Sequence, residues 1–430
     1  MLFRSRPLNQ KGATFLQTIA NGADVATMNP TEVLSLLNNA KAIEDEGAKV
    51  FLFQHNAQLI WKNEYIVQCI WNLRDAFKPS GSCLYLLVPL GTVLPNELKD
   101  DIVVLNDSLP NAEQIDEIVG EVAKSAGYET VSQPERVRDT LTGLSAFAVE
   151  QTLALSARKD GFDLVSLWDR KRKVIEQTPG LTVWKGGETF DDVGGYDNVK
   201  GFLRKIATGR NAPKAIVFID EIEKSLAGSA GDSTGVSQDQ LRCLLTEMQD
   251  TEAQGLIFIG AGGSGKSAIA KATGNDAGIP TISLDLGALQ SSLVGSSQAR
   301  IRAAFDVIRS VSGGKALWIA TCNSIGVLPP ELRRRFTLGT FYFPLPSKEA
   351  RAKIWQIYET KWNLGHADIA DEGWTGAEIK NACNIAWQLG VPVAEAAKYI
   401  VPLCVSAAEK IEELNRSAHR RYINAETSGV

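Results

Sequence analysis

The rhythm of apolar and polar positions changes three times along the chain. Over the first 130 residues, strand-like runs (Val50–Gln54, Cys83–Pro89, Asp101–Leu105) alternate with helical stretches such as Pro30–Ala42. Asn111–Ala126 places Ile115, Ile118, Val119 and Val122 at spacings of three and four, one face of a helix. Residues 135–178 read as helical, with Thr142–Ser156 followed by Phe162–Glu176. Breaks at Pro179–Gly180 and Gly186–Gly187 close that stretch. From Phe190 to Pro346, short β-branched apolar runs alternate with helical ones, the βα signature of a parallel sheet. From Ser347 onward the pattern is helical. The expected segments are therefore 1–130 (α/β), 131–185 (a helical linker), 186–346 (a βα core) and 347–430 (helices and tail).

Composition narrows the class. The 430 residues are 44% hydrophobic and 22% charged, which excludes a disordered polymer, a collagen-like repeat and a coiled-coil rod. The longest apolar run, Cys83 to Leu94, is interrupted by Pro89 and Gly91 and falls short of the ~20 residues that cross a bilayer. The opening MLFRSRPLNQKG has no apolar signal core. The expectation is a cytoplasmic protein with no membrane partner. A net charge of −5 argues against nucleic acid held through its phosphates, although a local basic groove stays open. Cys69, Cys83, Cys243, Cys322, Cys383 and Cys404 form no CxxC pair, and His55, His366 and His419 are the three histidines. That set is read as reduced thiols and not as a zinc site.

The first chemistry-bearing motif is Gly260-Ala261-Gly262-Gly263-Ser264-Gly265-Lys266-Ser267, which fits G-x-x-x-x-G-K-[ST]. An apolar strand, Leu256–Ile259, precedes it and a run of helix formers, Ala268–Ala272, follows. Glycines let backbone N–H groups curl round a phosphate, and the helix N-terminus adds partial positive charge. Lys266 would reach the β/γ-phosphates and the Ser267 hydroxyl would bind Mg²⁺.

The second is Ala215–Ile219, an apolar strand that ends in Asp220 and Glu221. One carboxylate would hold Mg²⁺ while the other polarises the attacking water. Asp285, at the end of Thr281–Leu284, is the rival metal ligand. The acidic strand comes about 40 residues before the phosphate loop, whereas phosphate-loop ATPases usually have it after. The strand–helix unit Ala215–Asp250 starts and finishes at the non-catalytic edge of a doubly wound sheet. Placing it first leaves every strand parallel and changes only connections at that edge.

With these residues in view, Phe190–Pro346 resembles an AAA-type ATPase module of the clade that includes FtsH and katanin. The chain is closer still to AAA proteins encoded as a reading frame in chloroplast and cyanobacterial genomes. The resemblance implies an α/β P-loop NTPase (AAA+) sheet with permuted strand order, Walker B ahead of Walker A, and a helical lid. It also implies a degenerate ATPase-like N-terminal domain without a phosphate loop. It gives Asp192, Val193 and Gly194 of Phe190–Gly195 to the adenine, and Asn323 of Trp318–Asn323 to the lytic water. Arginine fingers fall in Leu328–Phe336, carried to Arg334 and Arg335 with Arg333 as a substitute. Gly376 and Ala377 open the lid helix against the nucleotide. Leu293 stands where the family grips its substrate, without the acidic residues usual after the glycine.

The expected protein is a hydrolase of ATP with Mg²⁺, assembled as a homo-oligomeric ring, a hexamer, that remodels a protein partner. The alternatives are a nucleotide-gated scaffold with weak hydrolysis and a nucleic-acid-associated ATPase.

Overall fold

The structure is a computed structural model and describes residues 51–88, 92, 94–105, 109–226, 236–289, 296–324, 328–418 and 420–427. The expected helix Pro30–Ala42 and Leu293 lie outside the described residues. The chain divides into two compact units between residues 108 and 109.

In the first unit, β1 (Phe51–His55) and β2 (Cys83–Leu87) pair in parallel, Phe51 opposite Cys83. Parallel neighbours need a crossover, and α1 (Glu64–Ser80) supplies it. Asn63 caps α1 by accepting from Tyr65 N, and Gly81 ends it at φ 72°. Leu52, Leu84 and Leu86 face Ile66, Ile70, Leu73 and Phe77 of that helix. The run Asp101–Leu105 is not a strand. The Ile102 N–H bonds back to Leu98 O, and Val103, Val104 and Leu105 lie exposed. A β-branched run with no neighbour to pair with among the described residues does not become a strand on propensity alone.

The second unit opens with four helices: α2 (Ala112–Ser125), α3 (Pro134–Leu141), α4 (Ala146–Ser156) and α5 (Leu164–Glu176). The sequence grouped α2 with the N-terminal module, but its Ile115 and Val119 share a core with Val137, Leu141, Val149, Leu153 and Leu167 of the other three.

The seven-stranded sheet follows. In chain order its parts are β3 (Leu181–Val183), α6 (Asp197–Ala207), β4 (Ala215–Ile219), α7 (Ile222–Leu226), α8 (Val236–Asp250) and β5 (Gln254–Gly260). Next come α9 (Lys266–Ala277), β6 (Thr281–Leu284), α10 (Ser296–Ser312), β7 (Ala316–Cys322), α11 (Pro330–Arg333) and β8 (Thr340–Phe343). The lid contributes α12 (Lys348–Trp362) and α13 (Gly376–Leu389), and the tail α14 (Ala408–Ala418) and β9 (Ile423–Asn424). The spatial order is β9-β8-β5-β7-β4-β6-β3, parallel throughout except where edge strand β3 meets β6. The acidic strand β4 thus precedes β5 in the chain yet lies two places from it, between β7 and β6.

Alternate residues of each central strand serve opposite faces. Val217, Ile219, Ile257, Ile259, Trp318 and Ala320 pack with α8 and α10 through Leu244, Met248, Ile301, Phe305 and Ile308. Ile216, Phe218, Leu256, Phe258, Leu317 and Ile319 pack with α6 and α9 through Val199, Leu203, Ile269 and Ala272. All five residues of β4 are buried. Burying each large side chain stabilises the sheet by about 1.5–3 kcal/mol, so the three central strands are its rigid part.

The C-terminal stretch is not helical throughout. Ile423 and Asn424 pair with Phe341 and Tyr342 and close the β8 edge. A second departure is internal likeness. Leu345-Pro346-Ser347 leads into α12 with Ser347 as its cap, and Leu109-Pro110-Asn111 leads into α2 with Asn111 as its cap. Gly373 (φ 76°), buried Trp374 and the Thr375 cap open α13; Gly143 (φ 89°), buried Leu144 and the Ser145 cap open α4 in the same way. The likeness is in these two helix entries; α3 has no counterpart between α12 and α13.

Gly143 also touches backbone. A Cβ there would stand 2.6 Å from Val311 N and 2.7 Å from Ser310 O, whereas one on Gly127 (φ 80°) meets open space. Both alanine substitutions should lose about 1–2 kcal/mol to backbone strain. Gly143→Ala should lose about 1–3 kcal/mol more from overpacking. Urea unfolding midpoints of the two variants check the difference.

Candidate active site

The site is built where the strands β5, β7 and β4 end. Ligands of such sheets bind there, beyond the carboxyl ends of the strands. After Gly260 the chain turns through Gly263 (φ 78°) and Gly265 (φ 92°) into α9. A side chain at Gly260 would run into Phe343 O at 2.5 Å, so the loop starts with its backbone pressed on β8. Gly262 faces open space. Ser264 is buried, and its hydroxyl has no partner.

Lys266 is buried at the base of this loop. Its ammonium donates to Gly260 O (2.8 Å), Ala261 O (2.7 Å) and Asn323 Oδ1 (3.1 Å). Burial pushes it down to about 8, against the pull of Glu223 and Asp220. Ser267 donates to Asp220 Oδ1 at 2.8 Å. The same oxygen accepts from Thr321 Oγ1 at 2.6 Å, and Thr321 Oγ1 accepts from Glu221 N at 2.8 Å. Glu221 sits at φ 45°, a left-handed conformation that costs a residue with a Cβ about 1–2 kcal/mol. The Thr321 bond and the Lys224 N–H on Glu221 O (2.8 Å) hold the turn there. The Glu221 carboxylate accepts from Asn323 Nδ2 at 3.2 Å and from Lys224 Nζ at 2.6 Å.

Residues far apart in sequence thus meet. Asp220 and Ser267 are 47 positions apart, and Glu221 and Asn323 are 102 apart. Asp285 follows β6, the neighbour of β4, but its carboxylate accepts from Ala288 N at 3.1 Å and closes its own turn.

The lid reaches the loop directly. Ala377 N–H donates to Gly263 O at 3.2 Å, and a Cβ on Gly263 would fall 2.9 Å from Ala377 Cβ. Gly376 follows the Thr375 cap. Gly194 and Gly195 press against Ile354 and Ala350 of α12. Val193 O accepts from the buried Lys200 ammonium, and Asp192 is spent on capping Thr189. Tyr196 hydrogen-bonds Pro344 O at 3.1 Å, its ring near Gly265.

The arginines lie elsewhere. Arg333 and Arg334 are exposed. Arg335 donates to Gln249 Oε1 on α8 at 2.6 Å, and nearby Leu338 N–H bonds Gly255 O at the start of β5. The phosphate loop is at the other end of that strand. Seven residues at ~3.3 Å each put about 20 Å between the two ends.

Thr321, Glu223 and Lys224 were not singled out in the sequence. Thr321 reads as one more strand residue. Glu223 accepts from Asn323 N at 2.9 Å. A pair of acids and a lysine after a strand looks like a solvated helix start, so only the fold reveals these contacts.

The donors present suit a magnesium nucleotide. Mg²⁺ takes hard oxygens, usually one or two from protein with the rest from phosphate and water. The Ser267 hydroxyl and the exposed Asp220 carboxylate supply such a pair. Among the described residues no cluster of three metal-binding side chains competes, and no single helix is long and apolar enough to cross a membrane.

The family described as "ATPase family associated with various cellular activities (AAA)" matches residues 186–263 and 256–313. A curated relative, the "Uncharacterized AAA domain-containing protein ycf46" of Gracilaria tenuistipitata var. liui, is 26% identical over 371 residues, 74% of this chain and 69% of its own. The proteasome-activating nucleotidase of Sulfurisphaera tokodaii is 35% identical over 109 residues, 23% of this chain and 27% of its own. Among solved structures, the FIGL-1 AAA domain in complex with ADP aligns over 58% of this chain and 97% of its own, at 16% identity and a TM-score of 0.36. The chain carries an AAA-family domain with a P-loop NTPase fold, and it is homologous to the ycf46 AAA proteins.

Lys266 makes stability depend on pH. Its folded value lies below its unfolded one of 10.5, so between about pH 8 and 10.5 the unfolded chain binds more protons. Stability contributed through this group therefore rises with pH across that window. Denaturant unfolding of wild type and Lys266→Met should show the difference between them shifting in favour of wild type from pH 8 to pH 10.

Proposed function

We propose that the AAA-family domain of this chain binds ATP with Mg²⁺ and hydrolyses it, in a head-to-tail ring whose work is remodelling a protein partner. The observation that carries the reading is the shared oxygen of Asp220, bonded to Ser267 and Thr321 while Glu221 and Asn323 meet beside it. This is the arrangement a hydrolytic phosphate site needs, reached from a chain order in which the acidic strand comes first. We read that order as a permutation of the family's, one that leaves the catalytic edge intact.

The roles follow from geometry. Gly260–Gly265 wrap the phosphates with backbone N–H groups, and Lys266 exchanges its carbonyl partners for phosphate oxygens. Ser267 and Asp220 would hold Mg²⁺, which would supply charge neutralisation at the phosphates. Glu221 takes a proton from the attacking water, and Asn323, already on Glu221, orients that water. The assignment of Asp192, Val193, Gly194, Gly376 and Ala377 to the base rests on the family resemblance alone.

Arg333, Arg334 and Arg335 stand about 20 Å from their own loop along β5. They can therefore serve only a neighbouring copy, which supports a heterologous ring. Partner remodelling rests on family likeness alone.

Steady-state ATP turnover with Mg²⁺ tests the reading. Glu221→Gln should lose at least about 100-fold in kcat and still bind ATP. If wild type and Glu221→Gln are equally slow, the chain is instead a nucleotide-binding scaffold. The ring has its own check. Lys266→Ala and the triple variant Arg333→Ala/Arg334→Ala/Arg335→Ala should each be inactive, and mixing them should restore part of the turnover. No recovery would remove the shared site.

A further inference from the structure

The proposed base is not free in this structure. One Glu221 carboxylate oxygen accepts from Asn323 and the other from Lys224 at 2.6 Å. Lys224 lies three residues on, in the single turn of α7, where the left-handed turn at Glu221 brings the two side chains together. The two bonds differ in kind. Asn323 is fixed by its own backbone bond to Glu223 and by its place beyond β7. The Lys224–Glu221 pair faces solvent, with 68% and 43% of the side chains exposed.

We propose that Lys224 is a latch on Glu221, a positioning residue that holds the carboxylate paired between turnovers and must let go before that oxygen can accept a proton from water. The proposal rests on the hydrolytic reading above and adds a control to it. The Lys224 ammonium lowers the basicity of the oxygen it bonds and holds the carboxylate turned toward itself. Asn323 has to stay, since it orients the water, so Lys224 is the contact that yields. Its own charge is supported by the same partner: the hydrogen bond to Glu221 raises the Lys224 ammonium above its usual range.

The size of the effect is bounded by exposure. Solvent-exposed pairs are worth little and are screened by salt. The latch is therefore a weak brake, worth at most about fivefold in rate, and it acts on kcat. Lys224 makes no contact with the phosphate loop among the described residues, so ATP affinity should be unaffected.

The test is steady-state turnover of the full chain, wild type against Lys224→Met and Lys224→Arg, with Mg²⁺-ATP from low to high potassium chloride. Lys224→Met should raise kcat two- to fivefold at low salt with KM within twofold, and should respond little to salt. Wild type should climb toward it as salt rises, compared at equal salt so that assembly is matched. Lys224→Arg should restore the wild-type rate and its salt response. Equal kcat for wild type and Lys224→Met at every salt would overturn the latch, as would a lower kcat for Lys224→Met, which would make Lys224 a helper. In both of those cases turnover that still depends on Glu221 leaves the hydrolytic reading standing. If neither wild type nor Lys224→Met turns over, the two fall together.

Discussion

One carboxylate oxygen, Oδ1 of Asp220, organises the catalytic edge. It takes hydrogen bonds from Ser267 at the head of α9 and from Thr321 near the end of β7. Through Thr321 it also fixes the backbone of Glu221, whose left-handed conformation would otherwise relax. Three pieces of chain that leave the sheet in different directions are thereby held within hydrogen-bond distance. The sheet makes this possible, because β4, β7 and β5 are buried on both faces and cannot slide without exposing alternate side chains to the wrong core.

The strand order follows from the same constraint. A parallel strand needs only correct neighbours and direction, and β4 has both, between β7 and β6. The short link from Asp250 to Gln254 runs at the edge away from the site. The hydrogen bonds at the other edge form with the acidic unit coming first in the chain.

The fold was legible where the sequence carried long runs. β4, β5 and β7 are continuous apolar segments, and the phosphate loop names itself by its glycines and lysine. The short elements were not legible. Ile423–Asn424 has too few residues for any period, and its strand exists only because β8 offers an open edge. Asp101–Leu105 carried a strand-like pattern and pairs with no strand among the described residues. Helix α2 had its face read correctly, but which core that face joins is a tertiary fact. In the site, Asp220, Glu221, Lys266 and Ser267 could be picked out by type and position, and Asn323 through the resemblance. Thr321 and Glu223 act between segments about a hundred residues apart, which no spacing along the chain encodes; Lys224 pairs with Glu221 three residues away, but only the left-handed turn at Glu221 turns that spacing into a contact.

The tail has a mechanical meaning. After β9, Ala425 N–H bonds Tyr342 O on β8 and its carbonyl accepts from Val199 N on α6. Glu426 then reaches Ser347 N, at the joint where the sheet gives way to α12. One short segment therefore bolts together the sheet edge, α6 and the start of α12. Displacing α12 from the sheet would therefore mean breaking contacts made by the chain's last described residues, none of which belongs to the phosphate loop.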